Sequence, residues 1–346
     1  MRNFTIALDA MGGDFGPHIS LSASSKSLQL HPNLFITIVG DAQQITPLLT
    51  KYQLLNHNRI KFVHAPETIS MEDDPVSVLR HRSQSSMLVA LQLVAKGEAD
   101  ACVSAGNTGA LMLLAKHTLK TLEGISRPAL VSALPNNRGG HSYLMDLGAN
   151  LQCGCDTLFN FALMGSVLCE QVEQLSAPSV SLLNVGRESN KGNDTIKQCA
   201  EMLSATEFIN YIGYIEANEL FDGRADVVVT DGFSGNIALK SYEGMGRVFF
   251  ARLQQAINTT WYSRLLGKIL NPIIKNQLKN LHPDLYNGAS LIGLRGIVVK
   301  SHGSANESAF FYAIEQAIKE IQWQIPACIS ARLESVLAER DCLSHE

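Results

Sequence analysis

Short apolar runs that end in Gly, Asp, Asn or Ser alternate along this chain with longer segments of helical periodicity. Short, continuous apolar runs are typical of strands that are buried on both faces of a parallel sheet. The chain therefore resembles a repeated strand–helix unit. The pattern predicts strands at residues 4–8, 35–41, 60–63, 100–103, 129–134, 143–147, 181–185, 225–230 and 297–300.

The longer segments carry apolar residues every three or four positions, as amphipathic helices do. Pro17 suits the first position of such a helix, where its missing N–H is not needed. The turn residues 135–140, rich in Asn and Gly, predict a hairpin between the fifth and sixth strands. Helices are predicted at residues 17–30, 76–96, 110–119, 156–174, 194–203, from residue 237 onward, at 305–322 and at 327–340. This alternation predicts an α/β fold with a mostly parallel sheet.

Composition supports a globular protein, because 46% of the 346 residues are hydrophobic and 17% are charged. We expect one α/β domain over residues 1–340 and a frayed tail over 341–346. The net charge of −4 argues against a general nucleic-acid partner. The seven cysteines include one Cys-x-Cys pair, Cys153 and Cys155, without a second pair for zinc, so we expect reduced thiols and no metal site. No signal peptide and no membrane-spanning run are predicted.

A stretch of small and polar residues, 103–111, links a predicted strand to a predicted helix. Glycines allow a tight turn there, and the first N–H groups of the helix stay unpaired and point outward. Hydroxyl and amide side chains add further donors. Two interpretations remain open, an anion-binding cradle and an ordinary turn capped by Asn or Thr. The residues concerned are Ser104, Gly106, Asn107, Thr108 and Gly109.

Four other strand ends carry a similar mixture, at residues 9–16, 146–150, 186–193 and 231–236. Because a parallel sheet brings its strand ends to one edge, we expect all five junctions to converge on one polar pocket. Capping and turn formation are the simpler interpretation of the aspartates, and a surface charge is that of Lys191. The candidates are Asp9, Gly12, Gly13, Asp14, Asp146, Asn150, Lys191, Asp231, Gly235 and Asn236.

Residues 244–283 differ from the rest of the chain, because they contain no Asp or Glu but six Lys or Arg residues among apolar ones. The pattern predicts a basic amphipathic helical pair with a turn near residues 259–262 and a kink at Pro272. Such a segment suits an anionic membrane surface, an acidic protein or a dimer interface. We expect dimer packing on its apolar face and a membrane or acidic partner at its tip.

The sequence has no Gly-x-Ser-x-Gly motif, and no Cys has a His nearby in the chain. A reaction in which phosphate itself attacks needs no protein nucleophile. The protein then has to hold the phosphate, align it and stabilise charge on the acyl oxygen. A thioester suits this reaction, because a thiolate leaves readily when a cation or proton donor assists.

Two motifs together, residues 6–14 and 103–112, closely resemble those of the bacterial acyl-acyl-carrier-protein:phosphate acyltransferases of fatty acid and phospholipid synthesis. Residues 146–150, 191–193, 231–236 and 301–304 match the same family in order, and the resemblance extends from residue 4 to about residue 320. The chain departs from the family pattern at Arg82, Ser83 and Gln84, where adjacent lysines and an acid are usual, and at Ser304-Ala305, where two serines are common.

The resemblance implies an α/β/α sandwich similar to isocitrate dehydrogenase and phosphotransacetylase. It implies transfer of a long acyl group from acyl carrier protein to inorganic phosphate, giving acyl phosphate for phospholipid (phosphatidic acid) synthesis. It further implies a cytoplasmic homodimer that needs no cofactor and associates peripherally with the inner face of the cell membrane.

Residues and resemblance together give a hypothesis for the site. Ser104, Asn107 and Thr108 hold phosphate with nearby N–H groups, and a groove beside helix 237–281 takes the acyl chain. The catalytic candidates are Lys191 and Asn236, which stabilise the oxyanion or orient phosphate, and His302, which protonates the leaving thiol. The alternatives are phosphotransacetylase-like transfer from acyl coenzyme A, a dehydrogenase without a dinucleotide fingerprint, and a non-catalytic membrane-associated scaffold.

Overall fold

The computed structural model describes residues 2–258 and 283–344, which contain eleven strands in one mixed sheet. The order of the strands across the sheet is β3-β2-β1-β4-β11-β10-β5-β6-β9-β7-β8. The strands are β1 (Phe4–Asp9), β2 (Leu34–Gly40), β3 (Ile60–His64), β4 (Ala101–Ser104), β5 (Ala129–Pro135), β6 (His141–Met145), β7 (Ser179–Leu183), β8 (Asn210–Ile215), β9 (Val227–Val229), β10 (Ala289–Ile292) and β11 (Ile297–Lys300).

Helices connect most of these strands and cover the sheet. They are α1 (Pro17–Leu30), α2 (Ala42–Lys51), α3 (Pro75–His81), α4 (Ser86–Ala95), α5 (Thr108–Leu119), α6 (Cys155–Glu173), α7 (Asp194–Ser204), α8 (Gly232–Asn258), α9 (Glu307–Gln322) and α10 (Ile325–Ser344). The first helix has the predicted bounds. The last one includes residues 341–344, so this part of the predicted frayed tail is helical.

Both faces of the sheet are buried, which makes the fold an α/β/α sandwich. Alternate residues along each strand supply the two faces: Cys102 and Leu144 belong to the core beneath α4 and α5. Val103 belongs to the core beneath α1 and α9, and Met145 to the neighbouring core beneath α6, α7 and α10 on the same face. The predicted fold class is thereby confirmed.

The direction of the strands reverses across the sheet. Strands β3, β2, β1, β4 and β11 are parallel to one another. Strand β10 is antiparallel to β11 and β5, and β5 is antiparallel to β6, so β6, β9, β7 and β8 run opposite to the first group. We call the edge at which β1, β4 and β11 end the upper edge, and the edge at which β6, β7 and β9 end the lower edge. The expectation that all five junctions share one edge is wrong, because an odd number of antiparallel pairs separates the two groups.

One predicted helix differs from the structure, and two strands were not predicted. The helix predicted at 76–96 is interrupted, because Ser86 N–H donates to the Glu67 carbonyl (3.0 Å) and the chain between α3 and α4 is extended there. Strand β8 was not predicted because Gly213, at φ +96°, interrupts its apolar pattern at the edge of the sheet. Strand β10 is only four residues long and carries no clear periodicity.

The predicted basic helical pair falls only partly on the described residues. Residues 244–258 form the second half of α8, whereas residues 259–282, with the predicted turn and kink, lie outside the described part of the chain. Within residues 2–258 and 283–344, no helix combines the length and the hydrophobicity needed to cross a membrane.

Candidate active site

Three polar side chains stand side by side at the upper edge, one at the end of each of three neighbouring strands. Asp9 and Lys300 are both paired in register with Ser104, so all three point to the same face of the sheet. Asp9 is 1% exposed and Lys300 is 7% exposed. A carboxyl group, a hydroxyl group and an amine therefore lie buried in one row beneath the loops that follow these strands.

Asp9 is the acceptor at one end of this row. The hydroxyl groups of Ser86 and Ser104 each donate to one of its carboxyl oxygens at 2.6 Å. Burial raises the pKa of Asp9, and the bonds from Ser104 and Ser86 and the charge of Lys300 oppose that rise. Ser104 Oγ also accepts from the N–H of Gly106 at 3.1 Å. The hydroxyl of Ser104 is therefore used within the protein and fixes the turn after β4.

Lys300 is the buried cation at the other end of the row. Its amine donates to the carbonyl of Ala105 at 3.3 Å and to that of Ser301. Burial lowers the pKa of Lys300 to about 8, although the negative charge of Asp9 acts in the opposite direction. Lys300 thus ties together the loops that follow β4 and β11.

The loop after β1 packs directly on these two loops. A Cβ atom at Gly12 would lie 2.6 Å from the backbone nitrogen of Gly106, so only glycine allows this approach. The N–H of Asp14 donates to the carbonyl of Gly303 at 2.8 Å. The predicted residues Gly12, Gly13, Asp14, Ser104 and Gly106 are therefore together at the upper edge.

Asn107 caps the helix that follows β4. Its side-chain oxygen accepts from the N–H of Ala110 at 3.1 Å, which is the capping interpretation. Its amide donates to the carbonyls of Ser70, Met71 and Asp73 at 3.4, 2.9 and 3.1 Å. Asn107 thus fastens the acidic loop before α3 over the start of α5. The N–H groups of the first turn of α5, around Thr108 and Gly109, have no partner inside the helix and remain suited to an anion.

His302 lies beside this group and contacts α8. Its Nε2 atom is 3.3 Å from the amine of Lys240, and its Nδ1 atom is 2.9 Å from the hydroxyl of Ser304. Burial lowers the pKa of His302, and the positive charge of Lys240 lowers it further. The neutral imidazole is then the main form at pH 7. Proton donation by His302 stays a prediction, and the lowered pKa works against it.

At the lower edge, Asp146 anchors the turn after β6. Its buried carboxyl group accepts from the N–H groups of Leu130, Ala149 and Asn150 at 3.0, 3.1 and 2.7 Å. The side-chain amide of Asn150 donates to Asp146 at 2.9 Å and to the carbonyl of Pro128 at 2.8 Å. Burial raises the pKa of Asp146, and these bonds oppose the rise. Both residues therefore hold the backbone of this turn in place.

The start of α8 packs on the same turn. Asp231 accepts from the N–H of Ser234 at 2.7 Å and caps the first turn of the helix. A Cβ atom at Gly235 would lie 2.0 Å from the carbonyl oxygen of Asp146, so glycine is required at that position. Asn236 is exposed beside Gly148. Lys191 is also exposed, in the loop after β7, where its N–H donates to the carbonyl of Glu188 at 3.0 Å.

The predicted residues thus form two groups, and α8 connects them. The helix begins at the lower edge and carries Asn236 and, one turn later, Lys240, which contacts His302 of the upper group.

Three site residues were absent from the sequence prediction: Ser86, Lys240 and Lys300. Lys300 could have been identified from the sequence, because it is the last residue of a predicted apolar strand. Asp9 and Ser104 likewise come directly after predicted apolar strands. Among the residues that the structure describes, no group of three or more His, Cys, Asp or Glu side chains could hold a metal ion.

The fold of the chain is that of the phosphotransacetylases. A phosphotransacetylase from Streptococcus pyogenes superposes with a TM-score of 0.61 at 19% identity, over 92% of this chain and 94% of that one. The EutD phosphotransacetylase from Staphylococcus aureus superposes with a TM-score of 0.59 at 17% identity, over 93% and 94%. At these identities the likeness shows the fold alone.

The family follows from the sequence comparisons. The family described as fatty acid synthesis protein matches residues 4–328, and the chain belongs to this family. It is 67% identical to the phosphate acyltransferase of Psychromonas ingrahamii over 346 residues, which is the full length of both. It is 52% identical to that of Shewanella halifaxensis over 339 residues, covering 98% of this chain and 99% of the relative. The prediction of an acyltransferase is thereby confirmed.

Proposed function

We propose that this acyltransferase moves a long acyl group from acyl carrier protein to inorganic phosphate and so supplies acyl phosphate for phospholipid synthesis. The observation that carries the proposal is the contact among the loops that follow three strands at the upper edge, one of which leads directly into α5. Oriented N–H groups and nearby lysines suit a phosphate ion there. The full-length relatives named phosphate acyltransferase favour the same substrate.

Phosphate would be held chiefly by the backbone of the first turn of α5 and by the hydroxyl of Thr108. Ser104 and Asn107 keep their predicted place in the site but act through the loops that they fix, since their side chains already have protein partners. Asp9 and the two glycines of its loop shape the same cradle from below. We therefore keep the predicted residues in the proposed site and assign them different roles.

In the proposed reaction, a phosphate oxygen attacks the carbonyl carbon of the thioester, and the carbonyl oxygen becomes an oxyanion. The oxyanion then re-forms the C=O bond as the C–S bond breaks, the new C–O bond to phosphate stays, and the thiolate leaves and takes a proton from solvent. A thiol has a pKa of about 8.5, so its thiolate is a good leaving group without a strong acid. Lys191 and Asn236 are the proposed donors to the oxyanion.

The acyl chain would lie along α8. Phe233 and Ile237 are 59% and 50% exposed, and they lie next to Asn236 on the same side of the helix. Met245 and Val248 continue an exposed apolar surface toward the end of the described helix. This exposed apolar surface supports the proposed path of the acyl chain beside residues 237–281.

We propose further that the protein is a cytoplasmic homodimer which binds acyl carrier protein and associates with the inner face of the membrane. The support is the second half of α8, where the exposed cations Arg247 and Arg252 stand among exposed apolar residues. Cationic groups of this kind attract an acidic protein or anionic lipid headgroups. The apolar face of the segment is the proposed dimer contact.

The test is an assay of the full chain with a long-chain acyl-acyl carrier protein, with and without inorganic phosphate. We expect thiol release that depends on phosphate and one acyl phosphate formed per thiol. The coenzyme A thioester of the same acyl chain serves as the second donor. Faster transfer from coenzyme A would favour the phosphotransacetylase-like alternative, and thiol release independent of phosphate, or none, would contradict the proposed function.

A further inference from the structure

Lys240 reaches with its side chain from α8 to the upper group. Its amine lies 3.1 Å from Oε2 of Glu243 and 3.3 Å from Nε2 of His302. Its side chain is 51% exposed. An ammonium group has three N–H donors, so two of them are used by these partners and one remains.

The hydrogen bonds around His302 determine what Lys240 can do. An ammonium group attracts a ring nitrogen only if that nitrogen carries no proton, so we assign the proton of His302 to Nδ1. Nδ1–H then donates to the hydroxyl of Ser304 at 2.9 Å, and the backbone N–H of Ser304, 3.2 Å from Nδ1, gives up that acceptor. The opposite tautomer would direct an N–H group at the ammonium of Lys240. His302 is therefore an acceptor that holds Lys240 in position.

The place of Lys240 in the fold adds a second argument. Asn236 precedes it by one helical turn, so both side chains project from neighbouring points on the same side of α8. Its other neighbour, His302, belongs to the loop that contacts Asp14 through Gly303. A cation at this point lies between the proposed oxyanion donor of the lower group and the proposed phosphate cradle of the upper group.

We propose that Lys240 is a catalytic residue of this enzyme, whose third N–H donates to the attacking phosphate and whose positive charge stabilises the oxygen that becomes negative during acyl transfer. This inference rests on the proposed function. Lys240 offsets the repulsion between the attacking phosphate and the developing oxyanion, and it keeps its proton throughout. Glu243 and His302 are positioning residues, which fix the ammonium group through its other two donors.

The experiment measures acyl phosphate formation by wild type and by Lys240→Met, Lys240→Arg and Lys61→Met. Lys61 is the matched control, because it too is an exposed lysine paired with a glutamate, Glu98, at 3.6 Å, far from both groups on β3. We expect kcat/KM for phosphate to fall about a hundredfold in Lys240→Met, on the order of one lost charge-stabilising donor, and to fall less in Lys240→Arg. Lys61→Met should match wild type.

Chemical rescue distinguishes catalysis from a structural role. Ethylammonium added to Lys240→Met should restore part of the activity and should leave wild type and Lys61→Met unchanged. Near wild-type activity in Lys240→Met would overturn the inference while the proposed function stands. Inactive Met and Arg variants that melt like wild type and do not respond to ethylammonium would also overturn it. If wild type itself forms no acyl phosphate, the proposed function fails, and the inference with it.

Discussion

Asp9 and Glu320 are both buried carboxyl groups, but their neighbours differ. Asp9 faces two hydroxyl groups and the charge of Lys300, which together support its ionised form. Glu320 is 2% exposed and accepts from Ser290 and from Gln316 at 3.2 Å, both of them neutral donors. Burial raises the pKa of Glu320 to about 7 against these bonds. Burial raises the pKa of both carboxyl groups, and the neighbouring donors and charges that oppose this rise differ between them.

Glu320 should make the stability of the protein depend on pH. Its folded pKa of about 7 exceeds its ordinary value of 4.5, so the folded state binds the proton more tightly than the unfolded state. The contribution to stability is complete below pH 4.5 and is lost as pH rises through 7. Denaturant unfolding at pH 5 and pH 8 should differ by on the order of 3 kcal/mol, and Glu320→Gln should reduce that difference. Equal pH dependence in both proteins would contradict this assignment.

His302 should control the acid side of the pH–rate profile. Protonation would turn the acceptor of Lys240 into a second cation and push the ammonium away. Burial, Lys240 and Lys300 lower the pKa of His302, whereas Glu243 and Asp14 raise it, so the transition should fall below 6.5.

The comparison for His302 is His302→Gln, whose amide oxygen can still accept from Lys240 but does not titrate. We expect this variant to lose the low-pH decrease in kcat/KM for phosphate that wild type shows in addition to the titration of phosphate itself. If the two profiles coincide, the titration of His302 does not affect the rate.

At the scale of elements, α8 is the part that joins the two edges of the sheet. Its first turn is capped by Asp231 and packs on the turn after β6, and its third turn reaches His302 through Lys240. Two glycines allow the first turn to approach so closely, because a Cβ atom at Gly232 would lie 2.7 Å from the carbonyl of Asn150, and Gly235 is tighter still. Small movements of this helix would therefore displace Asn236 and Lys240 together.

Gly235→Ala should displace α8. The added methyl group would meet the Asp146 carbonyl at 2.0 Å, so the helix must shift or the turn must open. We expect a loss of about 2–3 kcal/mol of unfolding free energy, in the range of overpacked sites, together with a large fall in activity. Gly244→Ala is the matched control within the same helix.

A Cβ atom at Gly244 would meet no neighbour within 4 Å. Alanine there should stabilise the protein by up to about 1 kcal/mol through helix propensity. Denaturant unfolding of the two variants measures both effects. Similar stability changes in the two would show that the contact between Gly235 and Asp146 does not constrain the helix.

At the scale of the whole molecule, the reversal of strand direction places Lys191 and Asn236 at one edge and the phosphate cradle at the other. The strands at the centre are short, and α8 spans them in about two turns, so the two groups can act on a single extended substrate. Phosphate would approach from the upper edge, and the thioester carbonyl would lie along α8 toward the lower edge.

Lys191→Ala and Asn236→Ala should each reduce turnover by about a hundredfold, as expected for the loss of one oxyanion donor. Lys197→Ala, which also removes one positive charge but from α7 nearby, should leave turnover unchanged. The measurement is acyl phosphate formation at saturating phosphate. Wild-type turnover in both site variants would refute their assignment and would leave the upper group as the whole site.

Much of the fold was predictable from the sequence because it depends on local physics. Apolar runs and helical periodicity located nine of the strands, and Pro17 located the start of α1. The capping geometry of Asn107 was also open to prediction, as one of two interpretations of its turn. By contrast, the break between α3 and α4 depends on a pairing with Glu67, and β8 depends on a neighbouring strand that compensates for Gly213.

The sequence by itself determined the class of fold, the polar strand ends and, through its motifs, the family. Only the tertiary structure decided which strand ends meet, because strand order and direction result from contacts between segments far apart in the chain. Lys300 stands beside Ser104 because β11 pairs with β4, and Lys240 reaches His302 because α8 crosses from the opposite edge. A local pattern can mark a residue as polar at the end of a strand, but its partner and its charge state depend on long-range packing.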